Sequence, residues 1–252
     1  MTKKLQNKWN DKLASKMSEP ELLLYRSNLL GSDLRITNFG GGNTSAKIEM
    51  PDTLTGKNQN VLWVKGSGGD LGSMNLDGFS TLYMDKLNKL KELYRGLKYE
   101  DEMVDYLPHC TFNLNPRAAS IDTSLHAFIP NKHVDHTHPD AAIAVACMKN
   151  SKKMTKIIFG EDMAWIEWQR PGFDLGLKLE KIAKSNPKLK GVILGQHGLF
   201  TWGETSKECY ELTLSTIQRA ADWFEKNKTK EAFGGAKYKK TCLLYTSPSP
   251  RD

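Results

Sequence analysis

The sequence predicts an α/β fold, and three observations lead to this prediction. Short apolar runs such as "VLWV" and "GVIL" have the length and β-branched content of buried strands. Longer segments with helical periodicity, such as "SKECYELTLSTIQRAADWFEK", carry apolar residues on one face only. The two kinds of segment alternate along the chain, which favours strands and helices packed in layers.

The elements can be assigned in chain order. Ser18 and Glu21 have the spacing of a capping box, so we predict a helix over the leucine-rich segment that Gly31 ends. A glycine turn and a short alternating strand follow in "NFGGGNTSAKIEM", and residues 61–64 form a strand that leads into a second glycine loop. The remaining predictions are helices in "YMDKLNKLKELYRG", "IDTSLHAFI", "DAAIAVACMKN", "FDLGLKLEKIAKS" and "SKECYELTLSTIQRAADWFEK", and strands in "KHVDHTH", "MAWIEW" and "GVILGQHGLFTWG".

Composition excludes several classes of function. The 252 residues carry a formal net charge of +7, but the lysines occur in small, scattered groups and no arginine-rich run is present. We therefore expect no nucleic-acid partner, although a local basic pocket for an anionic small molecule fits this charge. No apolar stretch approaches the roughly 18–20 residues that a membrane span needs, and the basic N-terminus has no apolar core like that of a signal peptide. The expected location is the cytoplasm, where the 4 widely spaced cysteines would stay reduced.

The last eleven residues, "CLLYTSPSPRD", differ abruptly in character from the lysine-rich segment before them. They resemble the translation of a transposase adapter used in sequencing-library preparation. We therefore expect residues 242–252 to be read-through and not native sequence. The domain is predicted to cover residues 1–241, with a core at about 18–227, and the natural protein is expected to continue further.

Three of the 6 histidines lie in "HVDHTHPDA". In a strand, His136 and His138 point to the same face, whereas His133 has the opposite parity to His138. His136 and His138 can therefore chelate one ion, and His197, in the glycine-flanked segment "GQHGLF", is the best candidate for a third ligand. A single H-x-H pair is also compatible with an ordinary polar strand. The helical content argues against a cupin-like barrel, which uses the same pair.

Two glycine-rich segments have the composition of anion-binding loops. "GGGNTS" and "KGSGGD" combine free backbone N–H groups with hydroxyl and amide donors, which suits a phosphate group. Taken alone, each segment favours a tight turn over an anion site, because neither has the spacing of a Walker loop or a Rossmann fingerprint. Asp122 follows in "ASIDTSLH" at the start of a helix. It is either a helix N-cap or a general base beside the metal, and sequence spacing leaves both interpretations open.

Five ordered blocks resemble the class II aldolase/adducin family: "GGGNTSAKI", "VKGSGGDL", "ASIDTSLHAFIP", "HVDHTHPDAAIAVA" and "GVILGQHGLFTWG". They extend over most of residues 18–227. Within the family they are most similar to the aldolase half of bifunctional rhamnulose-1-phosphate aldolase/alcohol dehydrogenases. In that type a short-chain dehydrogenase domain follows the aldolase, so NAD is expected only in such a C-terminal domain. The resemblance implies a three-layer α/β/α domain around a largely antiparallel sheet, and a homo-oligomer, usually a tetramer with active sites between subunits.

The resemblance also implies roles for individual residues. The family's three zinc ligands correspond to His136, His138 and His197, the same three that the pattern selects, although another divalent metal could occupy the site. The catalytic acid/base corresponds to Asp122, where most members have glutamate. The phosphate-binding positions correspond to Asn43, Ser67, Gly68 and Ser120, and a further serine position carries Ile121, which offers no hydroxyl. His109, His126 and His133 receive no functional role.

The activity implied is zinc-dependent retro-aldol cleavage of a ketose 1-phosphate, with rhamnulose 1-phosphate giving dihydroxyacetone phosphate and lactaldehyde. Two alternatives remain at this stage. A sugar-phosphate 4-epimerase or a dehydratase could use the same fold and ligands. A non-catalytic scaffold of the adducin type would keep the fold without the metal site, and the three histidines and the carboxylate argue against it.

Overall fold

A computed structural model describes residues 4–37 and 41–228 of the chain. The strands are β1 (Asn43–Pro51), β2 (Asn58–Lys65), β3 (Phe79–Tyr83), β4 (His133–Thr137), β5 (Met163–Ile166), β6 (Gly191–Leu194) and β7 (Gly198–Gly203). The helices are α1 (Asp11–Ala14), α2 (Glu19–Gly31), α3 (Met84–Leu93), α4 (Glu102–Asp105), α5 (Thr123–Phe128), α6 (Asp140–Ala146), α7 (Ser151–Phe159), α8 (Phe173–Ser185) and α9 (Ser206–Asn227). Short 3₁₀ turns lie at Leu76–Gly78, Leu97–Tyr99 and Leu107–Cys110.

The seven strands form one sheet in the order β3-β2-β1-β4-β7-β6-β5. Every neighbouring pair is antiparallel except β5 and β6, which are parallel. Helices α2, α6, α7 and α9 cover one face, and α3, α5 and α8 cover the other. The predicted α/β fold with a largely antiparallel sheet between helical layers is therefore confirmed.

Strand alternation divides the core between the two faces of the sheet. In β7, Leu199 packs with α6 and α9, whereas its neighbour Phe200 packs with α5 and α8. In β1, Ala46 and Ile48 pack beneath α2, so the odd-numbered residues of this strand face the layer that contains α5. This parity decides which polar side chains of β1 and β4 can reach the functional site.

Local signals in the sequence are realised with two differences. The capping box of Ser18 and Glu21 is present at the start of α2. The segment "GVILGQHGLFTWG", predicted as an apolar strand that runs into a glycine-flanked histidine, is a hairpin of β6 and β7, because Gln196 takes a left-handed φ of 56° and reverses the chain. The predicted glycine loop at residues 40–45 is shorter than expected, because β1 already begins at Asn43. Residues 242–252 lie outside the described part of the chain.

The termini of β1, β2, β4, β6 and β7 lie along one side of the sheet, which we call its edge. Antiparallel pairing sets the start of β1 beside the ends of β2 and β4, with Asn43 opposite His136. It sets the start of β7 beside the end of β4, and the β6–β7 turn follows at the same edge. Within the described residues, no helix is long and apolar enough to cross a membrane.

Candidate active site

The three histidines predicted as metal ligands lie together at this edge of the sheet. His136 is the fourth residue of β4, His138 directly follows the strand, and His197 comes from the β6–β7 turn. Their ligand nitrogens all lie within 4.8 Å of one another, and Nε2 of His136 is 3.0 Å from Nε2 of His138. The structure thus brings together one residue pair from a strand end and one residue from a turn some sixty positions later in the chain.

The surroundings of these histidines fix their orientation. His136 Nδ1 lies 3.0 Å from the carbonyl oxygen of Leu199, which leaves Nε2 directed toward the other two rings. The ring of Phe200 stacks on the ring of His136, with centroids 4.1 Å apart and an interplanar angle of 10°. Gly198 has to be glycine because a Cβ there would lie 2.7 Å from Cδ2 of His138. A backbone carbonyl bound to the second ring nitrogen is the arrangement that orients metal-binding histidines.

The environment keeps the three imidazoles neutral. Burial lowers the pKa of His136 well below its usual value, and the neighbouring His138 and His197 lower it further. Burial, with a contribution from His197, lowers the pKa of His138 to about 4, and burial also lowers the pKa of His197. Neutral imidazole is the form that binds a metal ion. Three converging neutral nitrogens therefore fit a divalent cation such as Zn²⁺, for which three protein ligands and one open position are typical of catalytic sites.

Asp122 occupies the N-cap position of α5, but its side chain does not cap that helix. The carboxylate instead accepts a 2.8 Å hydrogen bond from Asn43 Nδ2, which lies 3.1 Å from Ser120 Oγ as well. Burial raises the pKa of Asp122 to about 6, while the charge of Lys65 and the Asn43 hydrogen bond oppose this rise. A carboxyl group with this pKa exchanges protons near neutral pH, as an acid/base catalyst must.

Lys65 is a functional candidate that the sequence analysis missed. It is the last residue of β2 and only 3% exposed, and its Nζ donates to Asn43 Oδ1 at 3.3 Å. Burial lowers the pKa of Lys65, and the charges of Asp122 and Asp70 counteract this effect. The sequence did contain one signal for Lys65, which is a lysine at the end of an apolar strand and directly before a glycine loop. Its meaning depends on Asn43 and Asp122, which are distant in sequence.

The residues predicted to bind phosphate lie on segments that contact one another. Asn43 and Ser120 are in contact, and the backbone N–H of Ser67 donates to the carbonyl of Ala118, which ties the second glycine loop to the segment before α5. Gly68 has a φ of 73°, a left-handed conformation that favours glycine. The backbone groups of residues 43–45 pair with neighbouring strands and are not free to bind an anion. The first glycine segment can therefore offer a phosphate the Asn43 side chain.

The other two histidines near the sheet, His126 and His133, are buried in the core and contact polar side chains there. His133 faces away from the three-histidine cluster, and its Nδ1 lies 2.8 Å from Nη1 of Arg26. Arg26 and Asp135 form a salt bridge of 2.9 Å in which both side chains are fully buried. His126 is buried in α5 with its Nδ1 2.8 Å from Ser45 Oγ. His126 and His133, to which the sequence assigned no functional role, therefore both contact polar groups within the core.

A cavity of about 820 Å³ opens beside the turn that carries His197. Gly195 and Gln196 line one side of it, and the two tryptophans of the β5 end, Trp165 and Trp168, line another. The remaining wall is rich in lysine, with contributions from Lys149, Lys152, Lys153 and Lys156. None of the three clustered histidines lines this cavity, so it adjoins the site and does not contain it. This lysine-lined cavity fits the expectation of a local basic pocket, and its tryptophans lie at β5, whereas Lys65 lies on β2 at the other side of the sheet.

The fold and the site together define an α/β domain in which a three-histidine cluster adjoins a carboxylate and a polar, glycine-rich loop. The chain belongs to the Class II Aldolase and Adducin N-terminal domain family, whose pattern matches residues 21–223.

Solved structures with this fold include the N-terminal class II aldolase domain of a conserved protein from Thermoplasma acidophilum. It is 32% identical with a TM-score of 0.78, and the match covers 87% of this chain and 99% of that one. A sugar-phosphate aldolase from Thermotoga maritima shares the fold at 15% identity and a TM-score of 0.57, over 82% of this chain and 93% of that one.

Among curated proteins, the chain is similar to the uncharacterized oxidoreductase YuxG of Bacillus subtilis (strain 168). The two are 43% identical over 232 residues, which is 91% of this chain. The same match covers 33% of YuxG, so the chain spans about a third of the length of this relative.

Proposed function

We propose that this domain is a metal-dependent aldolase that cleaves a ketose 1-phosphate, with rhamnulose 1-phosphate as the substrate and dihydroxyacetone phosphate and lactaldehyde as products. One observation carries the proposal. The Asn43 amide, which pairs in register with His136, is hydrogen-bonded to the Asp122 carboxylate and to Ser120. This contact supports a site in which the metal ligands, the acid/base and the anion-binding position are neighbours.

The three histidines would hold the cation through neutral nitrogens. When bound there, a divalent metal supplies Lewis-acid polarisation of the substrate oxygens. His136 contributes a ligand whose direction is set by the Leu199 carbonyl and the Phe200 ring. His197 is held by a turn in which Gln196 is forced into a left-handed conformation, and such strained residues persist where the surrounding structure determines them.

Proton transfer is assigned to Asp122. In cleavage, a base removes the proton of the C4 hydroxyl, the C3–C4 bond breaks, and the electron pair of that bond remains on C3 until a proton reaches it. Asp122, or a water that it holds, donates this proton. Its raised pKa of about 6 lets about a tenth of the carboxyl groups carry a proton at pH 7, far more than at the usual pKa of an aspartate.

The phosphate group is assigned to the donors around Asn43. Ser120, Ser67 and the backbone of Gly68 supply hydroxyl and N–H donors, and Lys65 supplies a buried positive charge at the same end of the sheet. A dianionic phosphate offsets the cost of keeping this lysine charged away from water, which burial otherwise imposes. The lysine-lined cavity beside His197 raises the local concentration of anionic substrates.

The whole protein is proposed to be bifunctional. The curated relative is about three times as long as this match and is named an oxidoreductase, which supports an NAD-dependent dehydrogenase domain that oxidises lactaldehyde. We further propose a cytoplasmic homo-oligomer, a tetramer by resemblance to the family. These assignments rest on relatives and are independent of the site geometry.

The test is to incubate the protein with rhamnulose 1-phosphate and to follow dihydroxyacetone phosphate with a coupled NADH-consuming reductase, with and without a chelator. We expect chelator-sensitive release that zinc restores. Folded, metal-loaded protein that releases no product from rhamnulose 1-phosphate would refute this substrate. A 4-epimerised or dehydrated product would assign the alternative chemistry, and absence of metal binding would favour a scaffold.

A further inference from the structure

Three alternate residues of β1 contact α5 in succession. Asn43 Nδ2 donates to Asp122, the residue before the helix, and Ser45 Oγ lies 2.8 Å from His126 Nδ1 within it. Lys47 Nζ lies beyond the other end of the helix. Side chains at positions i, i+2 and i+4 of a strand share a face, so β1 follows α5 along its whole length.

Lys47 makes the most extensive of these contacts. Its Nζ donates to the carbonyl oxygens of His126 at 3.1 Å, Ile129 at 2.7 Å and Asn131 at 2.8 Å. An ammonium group has three donors, so each hydrogen has one carbonyl partner. Burial lowers the pKa of Lys47 to about 7, with the Glu204 charge opposing this change. The three carbonyl dipoles favour the charged form, as a cation at a helix C-terminus does.

The helix that Lys47 holds is too short to be stable by itself. α5 has 6 residues, far fewer than the roughly 12–15 that an isolated helix needs in water. All six residues of α5 are buried, and the helix packs against α3, α8 and the sheet. Within the described residues, its polar attachments to the sheet are those to β1. The Lys47 contacts therefore add polar anchorage at the C-terminal end of a helix whose other end directly follows Asp122.

We propose that Lys47 is a positioning residue that fixes α5, and through it the Asp122 carboxylate, relative to Asn43 and the three histidines. The effect on turnover rests on the proposed function, whereas the effect on the helix does not. β4, which carries His136, is paired on one side with β1 and on the other with β7. Because two strands hold β4, loss of the Lys47 contacts loosens α5 while the metal ligands stay in place.

The experiment compares Lys47→Met with Lys47→Arg and Lys132→Met. Methionine removes the charge and the donors at similar length, and arginine retains both. Lys132 belongs to the turn before β4, but its ammonium lies near the surface, 3.0 Å from Glu19. Hydrogen exchange of zinc-loaded protein is measured over residues 122–131 and 133–137, together with metal content, kcat and KM for rhamnulose 1-phosphate. If Lys47→Met is insoluble, Lys47→Gln removes the charge and keeps two N–H donors on a side chain one atom shorter.

We expect Lys47→Met to speed exchange about tenfold over residues 122–131 and to leave residues 133–137 and the metal content unchanged. Its kcat falls at least about tenfold and its KM changes less than about threefold, because geometry at the reacting carbon is what is lost. Lys47→Arg recovers much of both losses, and Lys132→Met behaves like the unmodified protein.

Three other outcomes overturn the proposal, and a fourth separates it from the proposed function. Unchanged exchange over residues 122–131 overturns the proposal, and so does faster exchange with unaltered kcat in an active enzyme. Loss of metal together with faster exchange in residues 133–137 also overturns it, because Lys47 would then support the whole sheet edge. If the unmodified protein cleaves no ketose phosphate while Lys47→Met loosens α5, the proposed function fails and the positioning of the helix stands.

Discussion

Asn43 donates a 2.8 Å hydrogen bond to the Asp122 carboxylate from a position paired in register with His136. This bond favours the ionised carboxylate and limits the rise in pKa that burial causes. In Asn43→Ala we therefore expect the pKa of Asp122 to rise above about 6, and kcat to fall by about tenfold or more as the carboxyl loses its orientation. The pH dependence of kcat/KM measures the first effect, and kcat at saturating substrate measures the second. An unchanged profile with unchanged kcat would show that Asn43 does not act on Asp122.

The pH profile of cleavage should contain an ionisation that belongs to Asp122. If the protonated carboxyl donates the proton to C3, kcat/KM falls as pH rises through about 6 in the free enzyme. A bound phosphate dianion raises the pKa of a nearby carboxyl, so the same limb in kcat should lie at higher pH. The positive charge of Lys65 acts in the other direction, because it lowers the pKa of Asp122.

Asp122→Asn should remove this ionisation and reduce kcat by about 10²–10⁴-fold, the usual contribution of one acid/base group. Metal content should remain unchanged, since Asp122 is not one of the clustered ligands. Activity near that of the unmodified enzyme, with the same pH limb, would assign proton transfer to another group.

The histidine cluster predicts a selective loss of metal. In His138→Ala, one of three converging nitrogens is removed, and we expect both bound zinc and turnover to be lost. His109→Ala is the matched control, because His109 is an exposed histidine at the end of a 3₁₀ turn. Zinc measured by mass spectrometry of dialysed protein distinguishes the two variants. An active, metal-free His138→Ala protein would refute the metal assignment.

The buried ion pair predicts a stability effect that leaves the ligands untouched. In Arg26→Met, Asp135 remains fully buried without its 2.9 Å partner, and a loss of about 3–5 kcal/mol in the free energy of unfolding is expected. Arg95→Met, which removes an exposed salt bridge to Glu102, should cost less than about 1 kcal/mol. Urea denaturation monitored by tryptophan fluorescence measures both, and equal losses would contradict the expected importance of burial.

The sequence by itself determined the fold class and most of the candidate site. The alternation of strand and helix patterns predicted the layers, because hydrophobic periodicity is a local property of the chain. The parity of positions in a strand separated His136 and His138 from His133, and the glycines around His197 marked it as the third partner. Each of these signals lies within a few neighbouring residues. The second strand of "GVILGQHGLFTWG", β7, was missed because the chain reversal before it depends on Gln196, a residue without a strong turn preference, in a left-handed conformation.

The tertiary structure decided what each side chain contacts. The sequence left open whether the Asp122 side chain caps α5 or faces the candidate site. In the structure this side chain accepts a hydrogen bond from Asn43, 79 positions away, and does not cap the helix. The contacts of Lys47 and Lys65, and the pairing of Arg26 with Asp135, likewise join residues far apart in the chain. Such contacts arise only when antiparallel pairing brings strand ends to one edge, because register is a relation between strands and is not written in either strand alone.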